Sequence, residues 1–259
     1  TVIANQATSN GDSDDDIFMA DGAVINAGSG TITLSAVGTN GGNITLGSLT
    51  TTDNTASAVT IATAAGVIDG GDLDVDIVAN TAGAVVTIDA VSGGGSGNAL
   101  ETTVATLDVD NTLSGGIVIS ETDAVNVNQL DQDGPGVVTL VAGGTITIVN
   151  AQSGVTATSG TVTLTANGAT SDVVVNEDVT TIGGLVDINA GRDVTSTAGD
   201  NVTTTAGANT GTASGAVDID AGRNVDLAGD TVTTGANHAT AGATASAGGQ
   251  VDITTVDGW

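Results

Sequence analysis

A short motif of alternating apolar and polar residues recurs nine times along the chain and constrains its fold more than any other feature. In its fullest form, Gly-x-(Val/Ile)-x-(Ile/Leu)-x-Ala, the motif occupies residues 30–36 and 160–166. The second apolar residue of each copy serves as a marker; the nine markers are Leu34, Ile61, Ile88, Ile119, Leu140, Leu164, Ile188, Ile219 and Ile253. They lie 21 to 34 residues apart, with a mean near 27. A propeller blade needs about 40 residues or more, whereas a coil of two or three short strands fits this spacing. The repeat therefore predicts an all-β parallel β-solenoid (β-helix) of about nine irregular coils.

The period of two within each copy predicts which side chains face inward. Residues i and i+2 of a strand lie on the same face, so each marker and the apolar residue two positions before it should line the interior. Stacked strands lie about 4.8 Å apart, so equivalent residues should form columns along the axis. The intervening residues would then form one outward column: Thr33, Thr60, Thr87, Val118, Thr139, Thr163, Asp187, Asp218 and Asp252. The pattern predicts a threonine column that changes to aspartate toward the C-terminal end. Strands between the markers, such as those with Ile44 and Leu46 or Ile146 and Ile148, should complete each circuit.

The composition agrees with an all-β chain and excludes several classes of partner. There are 39 glycines but only one Phe, one Trp and no Tyr, so the core must be aliphatic. With 30 acidic and two basic residues the formal net charge is −28, and such a chain cannot neutralise nucleic-acid phosphates. Without cysteine it forms neither disulfides nor zinc–thiolate sites. No apolar run approaches the roughly 20 residues of a membrane helix, so no membrane insertion is expected.

The sequence predicts a single solenoid domain over residues 1–259, with residues 1–23 as an N-terminal cap or interface region. Glycine-rich stretches at 93–97, 205–215 and 235–249 are predicted to be loops, the last with the only histidine, His238, as an exposed loop residue. The chain begins at a threonine rather than a methionine, which suggests a processed product or an excerpt of a longer chain.

The two basic residues occupy equivalent places in consecutive coils. Arg192 and Arg223 each follow the glycine that ends a copy of the motif. We expect them to compensate the charges of nearby acidic residues, Asp193 and Asp200, rather than to form a catalytic pair.

Clusters of acidic residues are the groups in this sequence best suited to bind a metal ion. The residues that we predict as calcium ligands are Asn10, Asp12, Asp14, Asp16, Asp72, Asp74 and Asp76. The first four alternate like half of a calcium loop, although the glycine and the distant glutamate of an EF-hand are missing. The last three would share one face if they lie in a strand. Asp131 and Asp133 form a third cluster. Calcium is the expected metal because it prefers oxygen ligands, and the alternative for each cluster is a solvated acidic turn.

Three segments, 27–36, 184–194 and 215–225, resemble the repeat regions of filamentous-haemagglutinin-like exoproteins and related giant bacterial adhesins. The resemblance covers most of residues 24–256. It implies a right-handed coil, an extracellular rod, a secreted or cell-surface location and a role in adhesion or surface assembly. The Asn-Pro-containing secretion signature of such exoproteins is not found, since the sole proline, Pro135, follows Gly134. The chain therefore resembles the shaft rather than the secretion domain.

These observations favour a structural protein, the shaft or a protomer of a secreted fibre or adhesin. No amphipathic helix is expected to cap either end of the coil, so the chain is predicted to stack head to tail on itself or to continue into a longer chain. Phe18 and Trp259, which lie near opposite termini, are the predicted end-to-end interface. One alternative is a calcium-dependent binding solenoid that recognises surface glycans. A further alternative is an ice-binding solenoid that uses the threonine face.

No enzymatic activity is predicted. Many parallel β-helix proteins cleave acidic polysaccharides, but they need basic residues to hold the anionic substrate. This chain has no lysine, only two arginines and no aromatic platform for a sugar. A two-carboxylate glycosidase cannot be recognised from aspartates alone in so acidic a chain.

Overall fold

Short parallel β-strands joined by tight corners make up the described chain. The computed structural model describes residues 1–3, 16–38, 41–71, 74–95, 97–149, 151–197, 199–205, 214–227, 230–235 and 250–255. Within these ranges the secondary structure is all β, and no helix is long and apolar enough to span a membrane. In chain order the strands are β1 (Val2–Ile3), β2 (Ile17–Phe18), β3 (Val24–Asn26), β4 (Ile32–Ala36), β5 (Ile44–Leu46), β6 (Ser48–Thr50), β7 (Val59–Thr63), β8 (Val67–Asp69), β9 (Ile77–Ala79), β10 (Val86–Ala90), β11 (Leu100–Val104), β12 (Thr106–Asn111), β13 (Ile117–Glu121), β14 (Val125–Pro135), β15 (Val138–Ala142), β16 (Ile146–Ile148), β17 (Gly154–Ser159), β18 (Val162–Ala166), β19 (Val173–Val175), β20 (Val179–Ile182), β21 (Val186–Ala190), β22 (Asp193–Ser196), β23 (Asn201–Thr205), β24 (Val217–Ala221), β25 (Asn224–Asp226), β26 (Thr231–Gly235) and β27 (Val251–Thr255).

The strands stack in parallel on three faces of the solenoid. The first face contains β2, β5 and β8 and then, beyond a bridge through Gly94, β13, β15, β18, β21, β24 and β27. The second face contains β3, β6, β9, the end of β11 and the start of β12, followed by the start of β14, β16, β19, β22 and β25. The first residues of β11 pair with β13 and so belong to the first face. The third face contains β1, β4, β7, β10, β12, the end of β14, β17, β20, β23 and β26. Together they form a β-solenoid of about eight turns, which confirms the predicted fold; its right-handed sense stays a prediction.

Aliphatic side chains fill the interior of the coil, as the alternating pattern predicts. Along β4, β7, β15 and β18 the inward residues are buried and the residues between them are half-buried. The predicted inward pairs from Ile32 to Ile219 are at most 3% exposed. Burial of one Val, Leu or Ile side chain stabilises a fold by roughly 1.5–3 kcal/mol, so each coil adds to the stability of the stack.

The nine markers lie on two faces, which corrects the prediction that they form one column. Leu34, Ile61 and Ile88 lie on the third face, in β4, β7 and β10, whereas the other six lie on the first face, from β13 to β27. Ile88 pairs with Val109 in the following coil and not with Ile119. Inward and outward residues alternate with the same period along the strands of every face, so the motif alone does not show on which face a strand lies.

The predicted outward column is therefore two columns. On the third face Thr33, Thr60 and Thr87 are followed by Asp108. On the first face the column consists of Val118, Thr139, Thr163, Asp187, Asp218 and Asp252. The prediction of one long threonine column is wrong, whereas the run of aspartates in successive coils is confirmed.

The glycine-rich stretch 93–97 is partly a piece of the sheet rather than a projecting loop. Gly94 forms parallel bridges with Val67 and with Ile117 in the neighbouring coils, and its main chain thereby continues the first face. Most of 205–215 and of 235–249, including His238, lies outside the described residues.

Candidate metal centre

Of the first set of predicted calcium ligands, the structure describes only Asp16. Asn10, Asp12 and Asp14 are outside the described residues. Asp16 is exposed, and its Oδ1 accepts a hydrogen bond from the main-chain amide of Asn43.

Asp74 and Asp76 of the second set lie between two strands. β8 ends at Asp69 and β9 begins at Ile77, so neither residue is part of a strand, on which the prediction of a shared face depended. Asp72 is outside the described residues, Asp74 is exposed and Asp76 is only 2% exposed. Asp74 and Asp76 therefore differ in environment.

Asp76 belongs to a buried acidic cluster with Asp69 and Glu101. One carboxylate oxygen from each of the three lies within 4.8 Å of the others. Asp69 is 5% exposed. Asp69 and Asp76 come from the same coil, whereas Glu101 lies in β11 of the next coil, where Thr102 pairs with Ile77. The cluster therefore connects two coils at the corner between the first and second faces.

The hydrogen bonds of the cluster leave one carboxylate oxygen of Asp69 unsatisfied. Asp76 Oδ2 accepts a hydrogen bond from the Glu101 amide at 3.0 Å, and Asp69 Oδ2 accepts one from the side-chain amide of Asn98. Asp69 Oδ1 is buried without a hydrogen-bond partner among the described residues. Two unit charges about 5 Å apart repel by roughly 3 kcal/mol at an effective dielectric constant of about 20. This repulsion favours a cation between the three carboxylates.

Asp69 and Glu101 were not among the residues predicted from sequence. Asp69 pairs with Leu46 of the preceding coil, which is fully buried, and along β8 both Val67 and Asp69 face inward. This site could have been predicted by aligning residues 67–69 with residues 44–46. The alignment places Asp69 at the inward position that Leu46 occupies in the preceding coil.

A second acidic cluster lies at the corner between the second and third faces. Carboxylate oxygens of Glu177, Asp178 and Asp200 lie within 4.8 Å of one another. Asp178 Oδ1 accepts hydrogen bonds from the amide and side chain of Asn201 at 2.8 and 3.0 Å, and Asp230 Oδ1 accepts one from the Asp200 amide at 3.1 Å. Burial and then the neighbouring carboxylates, with Asp230 first, raise the pKa of Asp200.

The two arginines are paired with aspartates of the preceding coil. Arg192 Nε donates to Asp172 Oδ1 at 2.7 Å and Arg223 Nε donates to Asp193 Oδ1 at 2.8 Å. These hydrogen bonds lower the pKa of both carboxyls. The expected charge compensation is confirmed at Asp193, which pairs with Arg223. Asp200 belongs to the second acidic cluster instead, and the aspartate that pairs with Arg192 is Asp172.

Aspartates also form columns on the outer surface. On the third face Asp89, Asp110 and Asp131 follow one another in consecutive coils. Burial and then the adjacent carboxylates raise the pKa of Asp89 and Asp110. Asp218, inside the aspartate column of the first face, has its pKa raised for the same two reasons. Asp89 and Asp218 in these columns are less deeply buried than Asp69 and Asp76 of the first cluster.

Comparison of the chain with protein-family models, with curated proteins and with solved structures gives no significant match. Function is therefore inferred from the fold and the side chains of this chain.

Proposed function

We propose that this chain is a structural segment of a secreted or cell-surface fibre or adhesin. It serves either as the shaft of a longer chain or as a protomer that stacks head to tail on copies of itself. The observation that carries this proposal is the last described rung of the coil, where the inward residues Val251 and Ile253 are 41% and 47% exposed. Their partners in the preceding coil, Val217 and Ile219, are fully buried.

The partner best matched to β27, the last described strand, is a further parallel coil. β27 pairs with β24 on one side, and its other edge has no strand partner among the described residues. Such an edge is a template for another strand. One added coil would pair with this edge and cover both apolar side chains at the same time.

At the opposite end of the solenoid, the first described strands likewise pair on one side only. Within the described residues β2 pairs only with β5, and β3 only with β6. Val24 of β3 is 62% exposed, and Phe18 of β2 is 74% exposed and faces away from the core beside the buried Ile17. Trp259, the other predicted interface residue, lies outside the described residues. A contact between two unlike ends that does not close produces a filament.

The surface and the sequence resemblance support the same function. An acidic, aromatic-poor coil suits an extracellular rod similar to the shafts of filamentous-haemagglutinin-like exoproteins, and the proposal includes no catalysis, nucleic-acid binding or membrane insertion. Calcium-dependent adhesion to surface glycans is the second candidate, favoured by the buried cluster at Asp69. Ice binding is not proposed, because the threonine column on which it depended is divided between two faces.

Electron microscopy and light scattering test the stacking directly. We expect the purified protein to form rods of uniform width whose length increases with concentration. The variant Ile253→Asp should remain as single short rods, because it places a charge in the contact. The control Leu113→Asp makes the same charge change on a residue that is 62% exposed and away from the last rung, and it should assemble normally. Short rods of one length at every concentration would contradict self-stacking and leave only the shaft of a longer chain.

A further inference from the structure

The last residue of β8 is a carboxylate at an inward position that is occupied by leucine in the preceding coil. Asp69 is 5% exposed and pairs with Leu46 of the preceding coil. Its Oδ2 is held by Asn98, while its Oδ1 is buried without a hydrogen-bond partner among the described residues. An ionised carboxylate in such a place needs a cation nearby.

The basic residues of the described chain do not supply that cation. The sequence has two basic residues in all, and both arginines are engaged elsewhere, Arg192 with Asp172 and Arg223 with Asp193. Instead of a basic residue, two more acidic groups converge on Asp69. Carboxylate oxygens of Asp69, Asp76 and Glu101 lie within 4.8 Å of one another.

We propose that Asp69, Asp76 and Glu101 bind one calcium ion that fastens two consecutive coils together. Calcium lies about 2.3–2.6 Å from its oxygen ligands, so two oxygens on the same ion are separated by at most about 5 Å. The observed separations fit that limit. Because Asp69 and Asp76 belong to one coil and Glu101 to the next, the ion links the two coils, and it also joins the end of β8 to the residue that precedes β9.

The chemistry of the cluster favours calcium over other common metals. Its side-chain donors are three carboxylates, and hard oxygen donors select calcium or magnesium rather than zinc or copper. Magnesium demands a near-ideal octahedron and usually retains several waters. Two donors here are almost fully buried, which favours the ion that sheds its water more readily. The inference does not depend on the proposed role as a fibre, because the ion would act within a single chain.

Calcium titration of the chelator-treated full chain tests the site, with heat of binding and melting temperature as the two measurements. We expect calcium to bind and to raise the melting temperature of the native protein. Asp69→Asn should lower the affinity of this site by about tenfold or more, since even residues behind the ligands change metal affinity by 10–100-fold. The matched control is Asp226→Asn, which removes one charge from an exposed position in β25 and should bind calcium like the native protein.

A second variant separates loss of the ion from loss of the fold. Asp69→Leu restores the residue that the preceding coil has in this column. We expect it to fold without calcium, as judged by circular dichroism, and to lack both the binding event and the associated rise in melting temperature. Retention of this binding event in both Asp69 variants would overturn the proposal. So would a native protein that binds no calcium, or one in which magnesium binds equally well and displaces calcium.

Discussion

At the scale of single residues, each inward side chain is constrained by the equivalent positions in the coils on either side. Glu121 shows the consequence, because its column continues through Ala142 and Ala166. The side chain is 3% exposed. It accepts a hydrogen bond from the Thr102 hydroxyl at 2.7 Å and others from the amide of Val104. These donors hold the carboxyl in place, but burial dominates and raises its pKa to about 7.

We predict that Glu121→Gln stabilises the protein at pH 8 but not at pH 4.5. The folded-state pKa of about 7 lies above the ordinary value of 4.5. Between these values the folded chain keeps a proton that the unfolded chain has lost, so the stability of the native protein falls as the pH rises. The glutamine is neutral throughout, and its advantage should therefore grow to as much as about 3 kcal/mol and level off above pH 7.

Denaturant unfolding at several pH values between 4.5 and 8 measures this difference. A useful control is Asp172→Asn, because the pKa of Asp172 is lowered by its hydrogen bond to Arg192. That carboxyl is charged over the whole range, so the cost of its removal should be constant between pH 5 and 8. A difference between native protein and Glu121→Gln that does not change with pH would contradict the prediction.

At the scale of strands and corners, the glycine that begins the motif copies at residues 160, 184 and 215 has a steric role. A Cβ on Gly160 would lie 1.7 Å from the carbonyl oxygen of Gly136 in the preceding coil. The same contact repeats at Gly184, 1.7 Å from the oxygen of Gly160, and at Gly215, 1.6 Å from that of Gly184. The corner between the third and first faces is therefore closed by a column of glycines packed main chain against main chain.

We predict that Gly160→Ala destabilises the protein by about 2 kcal/mol or more, in the range of an overpacked core. The methyl group has to displace the main chain of the adjacent coil, since no flexible side chain can move aside. Gly235→Ala is the matched control. Its Cβ would come no closer than 3.7 Å to an atom of the described residues, so the substitution should change stability by less than about 1 kcal/mol. Thermal unfolding of the two variants compares them. If both variants lost the same stability, the close approach of the main chains at the corner would not be the reason why glycine is required there.

The elements of the fold were largely predictable from sequence, whereas their assignment to faces was not. The alternation of apolar and polar residues predicts which side chains point inward, on any face of the solenoid. It correctly placed Leu34, Leu140 and Ile219 in the core. The face on which a copy lies depends on coil length and on where the corners fall. Ile88 and Ile119 share the motif but lie on different faces for that reason.

The candidate metal site was predictable only in part for a related reason. Asp76 was expected to bind calcium, but with Asp72 and Asp74 as neighbours along the chain. Its neighbours in space, Asp69 and Glu101, become adjacent only when the coil closes. A cluster that spans a corner and two coils has no fixed sequence spacing, because corner lengths vary from coil to coil.

At the scale of the whole molecule, the ends of the coil combine apolar side chains with negative charge. The last described rung places Asp252 between the exposed Val251 and Ile253. The first rungs include Asp16, which is exposed. With a formal net charge of −28 over the chain, two copies that approach end to end repel each other before their apolar rungs meet.

We therefore predict that end-to-end stacking becomes stronger as the salt concentration rises. The screening length falls from about 30 Å at 0.01 M salt to about 8 Å at 0.15 M, while the apolar contact at Ile253 does not depend on screening. Light scattering in sodium chloride with a chelator present measures this effect without a contribution from calcium. The variant Ile253→Asp should remain separate at both salt concentrations, because it replaces the apolar contact itself with a charge. If stacks of the native protein instead came apart as salt was added, ion pairs between the ends would hold them together, and the apolar rung would not be the contact.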